Sequence, residues 1–323
     1  MCDSEMALII GTNNGIYRHS QNENSPVEKV LDCGDTLNVN ATETGVFAAT
    51  KTGLYRSQDG GKAWNYIETP RHEVYSFAVS PDGNRWYAGT HPAHIYTSGD
   101  EGKTWRERDE FQQLPSRSEW GTPRHRGSAH VRSLDVHPDS PGLVVAGVEV
   151  GGVHVSNDYG ETWEERREAI PDDRRDRLQF DVHDVRVIQE NEFVISCGGG
   201  VYHTRDSGVS WNRLNPDENR PYATASCYDD GTLYLSLQSL PPTLPFGDQR
   251  SGANGALWST DDMGRSFKRE RYPDEPDDYI YGWAVRDNDV FASSTMGRIT
   301  VRKIDGWETF AEVPEWIRSM TWA

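Results

Sequence analysis

The sequence has few cysteines and no long apolar segment. Its 323 residues include four cysteines, and none of them forms a Cys-x-x-Cys pair. That number and spacing exclude a dense disulfide framework and are typical of reduced thiols in a cytosolic protein. No segment approaches the roughly 20 apolar residues of a membrane span. The first residues, MCDSEMALIIGTNNG, also lack the basic start and apolar run of a signal peptide. We therefore expect a cytoplasmic protein with no membrane partner.

Lysine is scarce, and the charge is strongly negative. The chain has 51 acidic and 33 basic residues, a net charge of −18, and only six of the basic residues are lysine. An acidic, lysine-poor composition indicates adaptation to a salt-rich, halophilic cytoplasm; the alternative is an acidic protein from ordinary salt. Phosphate contacts need a basic surface, so we expect no nucleic-acid partner. Nucleotide-binding and zinc-finger patterns are missing, and no cofactor is predicted.

Helical periodicity is hard to find, whereas one eight-residue pattern recurs. Short β-branched or aromatic runs alternate with Gly, Asp, Asn and Pro clusters, which indicates an all-β chain. The repeated aspartates are separated by 41, 58, 48 and 56 residues, as in a repeat architecture. The five copies are SQDGGKAW (57–64), SGDEGKTW (98–105), SNDYGETW (156–163), TRDSGVSW (204–211) and TDDMGRSF (260–267).

The residue types of this repeat predict a hairpin tip that caps itself. An aspartate accepts hydrogen bonds from backbone N–H groups just ahead of it and closes a turn. The glycine supplies the positive φ that such a turn requires. The aromatic residue begins the next strand and buries its ring beneath the turn. We therefore interpret these aspartates as structural and not catalytic.

Strand-like segments around the repeats predict a seven-bladed β-propeller. Four short antiparallel strands per repeat make one blade, and two further blades near the chain ends lack a clean repeat. The last residues, EWIRSMTWA, resemble EVYSFAVS, so we expect the C-terminal strand to join the N-terminal blade and remove the free edges. A single domain over 1–323 would contain blades at about 316–323 with 5–33, 34–68, 72–112, 128–170, 179–214, 220–272 and 278–312.

The five repeats resemble BNR or Asp-box repeats, and nearly the whole chain is similar to the sialidase-like or "glycosyl hydrolase" BNR-repeat propellers of bacteria and haloarchaea. The segments LPSRSEWGTPRHRGSAHVRSLDVHP and GVEVGGVHVSNDYGETW resemble a subgroup without an assigned reaction. The resemblance implies that the capped turns lie on the face opposite the ligand site. True sialidases have six blades and an Arg-Ile-Pro motif near the N-terminus. This chain has no such motif, which argues against sialidase activity proper.

Aligned inner strands point to a ring of polar residues at one position. Inner strands line the channel of a propeller, so the second position of each is expected at the channel mouth. Two arginines, one histidine and three tyrosines at this position suit a small anionic or carbohydrate-like ligand. The seven residues are Thr36, Tyr75, Arg132, His183, Tyr222, Tyr281 and Arg318.

Roles for these residues and their neighbours follow from their chemistry. We predict His183 as a general acid or base, with Glu149 or Tyr281 as its partner. Imidazole and carboxylate groups also bind divalent metals, although the spacing matches no zinc signature; the alternative is that the histidines hydrogen-bond around a water-filled channel. The metal set would be His125, His130, His183 and Glu149. The predicted ligand-binding residues are Arg132, Arg318, Tyr75, Tyr222, Trp120, Arg124, His125 and His130.

Three functions remain open from the sequence. The first is a hydrolase or lyase acting on a small anionic or sugar-like compound. The second is a non-catalytic protein that captures such a ligand, and the third is a scaffold that binds a protein partner. The polar ring favours the first two, because a pure scaffold has no need of cationic and titratable groups at the channel.

Overall fold

Seven four-stranded antiparallel sheets make up the fold. The structure, a computed structural model, describes residues 6–21, 25–121, 127–167, 169–171, 178–239 and 253–323. Within these ranges the sheets account for 28 strands, and the chain is a seven-bladed β-propeller, as predicted. Among the described residues, no helix has the length and apolar character needed to cross a membrane.

The strands follow one another through the sheets in chain order. The first three sheets contain β1 (Ala7–Thr12), β2 (Gly15–Ser20), β3 (Val27–Leu31); β4 (Thr36–Thr42), β5 (Gly45–Thr50), β6 (Gly53–Ser57), β7 (Asn65–Ile67); and β8 (Val74–Val79), β9 (Trp86–Thr90), β10 (Ile95–Ser98), β11 (Arg106–Glu107). A short helix, α1 (Asp109–Gln112), and a 3₁₀ turn (Pro115–Glu119) then lead to the fourth sheet. A second 3₁₀ turn, Leu178–Phe180, precedes the fifth sheet.

The remaining four sheets have the same arrangement. The fourth and fifth contain β12 (His130–His137), β13 (Ser140–Glu149), β14 (Gly152–Ser156), β15 (Glu164–Glu165); and β16 (Val182–Gln189), β17 (Glu192–Cys197), β18 (Gly200–Thr204), β19 (Asn212–Arg213). The sixth and seventh contain β20 (Tyr222–Asp229), β21 (Thr232–Gln238), β22 (Ala256–Thr260), β23 (Lys268–Glu270); and β24 (Ile280–Arg286), β25 (Asp289–Ser294), β26 (Arg298–Lys303), β27 (Gly306–Glu312). The last strand, β28 (Ile317–Trp322), returns to the first sheet.

The C-terminal strand completes the N-terminal blade. Strand β28 pairs antiparallel with β1, with Leu8 opposite Trp322 and Ile10 opposite Met320. Beyond the strand, the N–H and C=O of Ala7 and Ala323 exchange hydrogen bonds of 2.8 and 2.9 Å. This pairing confirms the predicted closure and satisfies backbone groups that an edge strand would leave open.

The repeated turns have the predicted self-capping geometry. In the third copy, Ser156 Oγ donates to Asp158 Oδ1 at 2.8 Å, and Asp158 Oδ1 accepts the Thr162 N–H at 2.8 Å. The Gly160 N–H donates to Ser156 Oγ at 2.9 Å, with a φ of +80° at the glycine. Trp163 is buried beneath the turn and donates its indole N–H to Gly160 O. Corresponding hydrogen bonds to the aspartate form in the copies centred on Asp59, Asp100, Asp206 and Asp262.

The ring position coincides with a register shift in the inner strands. In the third sheet, Val74 lies opposite Thr90 and Ser76 opposite Gly89, so Tyr75 is the extra residue of a β-bulge. Bulges re-aim a side chain relative to the regular pleat and are common beside functional sites. The corresponding extra residues in five other sheets are Leu37, Arg132, His183, Tyr281 and Arg318.

One member of the predicted ring is corrected by this register. The sequence alignment placed Thr36 at the ring position of the second blade. In the structure, Thr36 lies opposite Thr50 and Asn38 opposite Ala49, which makes Leu37 the extra residue. The error arose because DTLNVN has no residue pattern that distinguishes the two registers, and a shift of one residue reverses the side-chain faces.

Polar residues after the bulges hold neighbouring inner strands together. Ser133 Oγ accepts the Val185 N–H at 3.2 Å, and Asp135 Oδ2 accepts the Val187 N–H at 2.7 Å. Burial raises the pKa of the Asp135 carboxyl to about 6, although the Val187 hydrogen bond and Arg186 oppose this rise. These polar positions in strand β12 therefore serve the fold.

The chain divides into two compact units. The expectation of a single domain over 1–323 stays a prediction, and the predicted site residues fall into both units. Unit 1 comprises Met1–Ile67, Pro216–Tyr222 and Cys227–Ala323, and unit 2 comprises Glu68–Asn215 and Ala223–Ser226.

Candidate functional site

One cluster in unit 2 contains five of the predicted site residues, which are Tyr75, His130, Arg132, Glu149 and His183. The strand register explains the first contact, because His130 at the start of β12 lies directly opposite Glu149 at the end of β13. His130 Nε2 is 2.8 Å from Glu149 Oε2, and Arg132 Nη1 is 3.4 Å from the same oxygen. His130 is fully buried and Glu149 is 9% exposed. One carboxylate oxygen therefore contacts both an imidazole nitrogen and a guanidinium nitrogen.

Tyr75 and His91 border this carboxylate cluster. The rings of Tyr75 and His130 are 4.0 Å apart between centroids, at an interplanar angle of 39°. His91 is 5.9 Å from Tyr75 and 5.8 Å from His130, also between centroids. The three rings form a continuous aromatic surface beside the polar groups.

His183 faces an acceptor at each of its ring nitrogens. Its Nδ1 lies 2.7 Å from the Ala223 carbonyl oxygen, which can only accept, so this nitrogen donates. Its Nε2 lies 3.4 Å from Asp181 Oδ2. Burial alone would lower the pKa of His183, but Asp181 and the Glu149 charge raise it above its ordinary value. A protonated imidazolium can supply positive charge or a proton, and it cannot act as a base.

An open cavity adjoins the cluster. Its volume is about 500 Å³, within the range of small-ligand pockets. It is lined by Pro70, Arg71, His72, Glu73, His91, Pro92 and Ser128. His91 belongs both to this lining and to the aromatic cluster, so its ring connects the cavity wall with the rings of Tyr75 and His130.

Sequence reasoning missed most of the cavity lining. Residues 70–73 read PRHE and directly precede strand β8. Binding residues are often located in connecting loops, and this connection holds two basic side chains next to a glutamate. The segment is short and matches no motif, so residue types alone did not distinguish it from the other connections.

A second polar cluster lies in unit 1 around Arg318. Its Nε and Nη2 donate to the two oxygens of Asp35 at 3.1 and 3.2 Å. The guanidinium carbon also lies 3.8 Å from the centroid of the Trp316 ring. Lys51 Nζ is 2.7 Å from Asp35 Oδ2, and Tyr281 packs edge-on against Trp316 at 5.8 Å. A carboxylate and an aromatic face thus fix this arginine in place.

The other predicted residues have different surroundings. Tyr222 is buried at the start of β20 and belongs to unit 1. Trp120 is 5% exposed, packs against Phe111 and donates its indole N–H to Ser116 Oγ at 2.7 Å. It therefore occupies the hydrophobic core of unit 2.

Two predicted residues lie outside the described ranges. Arg124 and His125 fall between residues 121 and 127. In the described part of the chain, no three histidine, cysteine, aspartate or glutamate side chains are placed to hold a metal ion together. The predicted metal set includes His125 and so stays a prediction.

The comparisons with known proteins establish the fold. No family model matches the sequence, and no curated protein matches it significantly. Among solved structures, a GH74 enzyme of Niastella koreensis is 15% identical with a TM-score of 0.62, and the match covers 94% of this chain and 46% of the enzyme. YCF48 bound to D1 peptide is 13% identical with a TM-score of 0.58, covering 94% and 85%. The WD40 β-propeller domain of Doa1 is 13% identical with a TM-score of 0.57, covering 88% and 85%.

These similarities extend to the fold and no further. The chain spans less than half of the GH74 enzymes that it matches. Identities between 13% and 15% carry no residue-level correspondence, and propellers serve many unrelated functions. The chain is similar to both enzyme and peptide-bound propellers, and its architecture is that of a seven-bladed β-propeller.

Proposed function

We propose that this propeller binds a small anionic, sugar-like ligand at the cluster and cavity of unit 2, and acts on it as a hydrolase or lyase. The main supporting observation is the Glu149 carboxylate shared by His130 and Arg132, close to His91, which lines an open cavity of about 500 Å³. A cavity of this size with a few convergent polar groups is the usual form of a small-molecule site.

The residue roles follow from the contacts. Arg132 supplies positive charge, and His183 adds to it in its protonated form, which its raised pKa favours; an anionic ligand needs this charge because the whole chain carries a net charge of −18. Tyr75 and His91 offer ring surface to the ligand body. Glu149 is the group that exchanges a proton with the ligand, with His183 as the acid. His183 acts here as an acid and not as a general base, because both of its nitrogens face acceptors.

The similar structures include both an enzyme that acts on a carbohydrate and a protein that binds a peptide. GH74 enzymes include a xyloglucanase of Xanthomonas campestris, whereas YCF48 is bound to a peptide. Membership of the sialidase-like BNR-repeat propellers, with a cytoplasmic, salt-rich setting, is part of the same proposal and rests on the five repeats and the acidic, lysine-poor composition.

A binding experiment with matched variants tests the proposal. Titration calorimetry in molar KCl would measure the Kd of gluconate and of glucose 6-phosphate for wild type and for Arg132→Gln. We expect at least tenfold weaker binding in the variant, since a hydrogen bond to a charged group contributes about 1.5–3 kcal/mol. Arg85→Gln, which removes a charge paired with Glu161 elsewhere in unit 2, is the control and should bind as wild type.

The same titration separates the competing functions. If Glu149→Gln binds gluconate but abolishes any turnover of sugar-acid derivatives, the enzyme reading stands. Equal binding by Arg132→Gln and wild type would remove the cluster from the site. Wild type that binds neither anion would favour the scaffold alternative, and the search would turn to protein partners.

A further inference from the structure

Arg71 lines the unit 2 cavity together with Glu73. It lies just before strand β8, and its guanidinium is half-buried in the cavity wall. Its Nε donates to Tyr96 Oη at 3.1 Å, and its Nη2 donates to His94 Nε2 at 3.1 Å. Two neutral groups on strand β10 and its preceding turn therefore fix the orientation of the planar guanidinium.

The tautomer of His94 follows from this contact. Since Nε2 accepts from Arg71, the ring proton resides on Nδ1, which donates to Glu107 Oε1 at 2.5 Å. Burial lowers the pKa of His94, and the Arg71 charge lowers it further, against the opposing effect of Glu107. Tyr96 Oη also lies 3.5 Å from Glu107 Oε2. Arg71, His94, Glu107 and Tyr96 are thus joined in a closed ring of contacts. In this ring, His94 and Tyr96 lie between the carboxylate of Glu107 and the guanidinium of Arg71.

This arrangement differs from that of Arg108 and Arg167, two buried arginines of unit 2. Arg108 contacts Glu161 directly, and Arg167 Nη2 lies 3.0 Å from Glu119 Oε2. Among the described residues, Arg71 has no carboxylate oxygen within 4 Å. An arginine that is oriented by neutral acceptors and faces a cavity retains its charge and a donor edge for a ligand anion.

We infer that Arg71 binds the anionic group of the ligand, a carboxylate or a phosphate, and so orients the ligand body along His91 toward Glu149. Ser128 and His72 line the same cavity and supply further donors to this group. The inference rests on the proposed function for the ligand class. It adds the binding residue and the direction in which the ligand lies.

Charge-matched ligands and variants test the assignment of Arg71. Calorimetry would measure the Kd of gluconate, glucose 6-phosphate and neutral glucose for wild type, Arg71→Gln, Arg71→Lys and the control Arg85→Gln. We expect Arg71→Gln to weaken both anions at least tenfold, with no change for glucose and none in Arg85→Gln. Arg71→Lys should fall between, because an ammonium group retains the charge but cannot contact Tyr96 and His94 in the same fork geometry.

The outcomes distinguish this inference from the proposed function. Tighter binding of gluconate than of glucose 6-phosphate would assign a carboxylate, and the reverse a phosphate. If Arg71→Gln and Arg71→Lys bind both anions as wild type while Arg132→Gln does not, the inference is wrong and the cluster remains the site. If Arg71→Gln loses binding and Arg132→Gln retains it, the result supports anion binding by Arg71 and contradicts ligand binding by the cluster. Wild type that binds neither anion overturns both.

Discussion

Arg132 in unit 2 and Arg318 in unit 1 occupy the same bulge position of two inner strands, yet their surroundings differ. Both oxygens of Asp35 accept from Arg318, and Trp316 covers its guanidinium. The Arg132 guanidinium lies 3.4 Å from one oxygen of Glu149, which His130 approaches more closely at 2.8 Å. The side chain of Arg132 is 21% exposed, against 12% for Arg318.

The difference shows that equivalent register positions do not imply equivalent roles. A bulge determines where the side chain points, whereas the neighbouring carboxylate determines whether its charge is committed to the fold. Arg318 is also predicted to bind a ligand anion, and in the structure its Nε and Nη2 donate to the two oxygens of Asp35. Arg132 shares its carboxylate with His130, whose ring lies near His91 of the cavity wall, and this favours unit 2 as the ligand site.

Substitution of Arg318 should have the largest effect on stability. Arg318→Gln removes a bidentate contact and the stacking on Trp316, and we expect a loss of about 2 kcal/mol in the free energy of unfolding. Arg132→Gln should cost about 1 kcal/mol or less, because Glu149 keeps His130 as a neighbour. Urea unfolding of the two variants measures the difference. Equal losses would show that the two positions are equivalent after all.

The second-largest effect is expected in the pH dependence of stability, which should differ between the His183 cluster of unit 2 and the Arg318 cluster of unit 1. The pKa of His183 is raised above 6.5 in the folded state, so its contribution to stability is complete below pH 6.5 and is lost as the pH rises through the folded pKa. We expect the free energy of unfolding to decline above pH 6.5, by at most about 1.4 kcal/mol per pH unit.

Two variants assign this decline to the unit 2 cluster. His183→Gln should abolish it, whereas Arg318→Gln should retain it, since arginine does not titrate in this range. Urea titrations at several pH values between 6 and 9 provide the measurement. An unchanged slope in His183→Gln would contradict the cationic state of His183.

The capped turns should have the smallest effect, equal in the two units. Hydrogen bonds from Ser210 and from Ser266 lower the pKa of Asp206 and Asp262 to about 2. Their contribution to stability is complete above the ordinary carboxyl pKa near 4 and is lost as the pH falls toward 2. Asp206→Asn and Asp262→Asn should each lower the melting temperature by about 2–4 °C at pH 7.

The ligand assay provides the control for the turn variants. Neither substitution should alter the Kd of gluconate, because the turns serve the fold and not the site. The difference in melting temperature between wild type and variant should disappear near pH 2. A change in Kd for Asp206→Asn alone would connect the unit 2 turns with the ligand site.

The sequence predicted the blades well because each repeat carries its own local instructions. The Ser, Asp, Gly and Trp of the turn interact within eight residues, so their geometry needs no distant partner. The alignment of inner strands also identified the bulge residues Tyr75, Arg132 and His183. It failed at Thr36, where the correct residue is Leu37 and only the pairing with β5 distinguishes the register.

The contacts of the candidate site could not be predicted from the sequence, because they join distant segments. Trp120 is predicted to bind a ligand. In the structure its ring packs against Phe111 in the core, and its indole N–H donates to Ser116 Oγ. Arg71 carried no motif, and its importance follows from His94 and Tyr96, 23 and 25 residues later in the chain. Residue type alone could not rank these positions, because burial and partners decide what a charged or aromatic side chain does.

By itself, the sequence determined the number and kind of blades, the capped turns and the return of the C-terminal strand. These features depend on interactions within a hairpin or on repetition, which a linear pattern records. Only the tertiary structure decided which partners the charged side chains have. Arg318 donates to Asp35, and Glu149 contacts both His130 and Arg132. Arg71 lines the cavity and is oriented by His94 and Tyr96. The physical reason is that the strength and role of a charge depend on the distance and burial of its partners, and folding sets both.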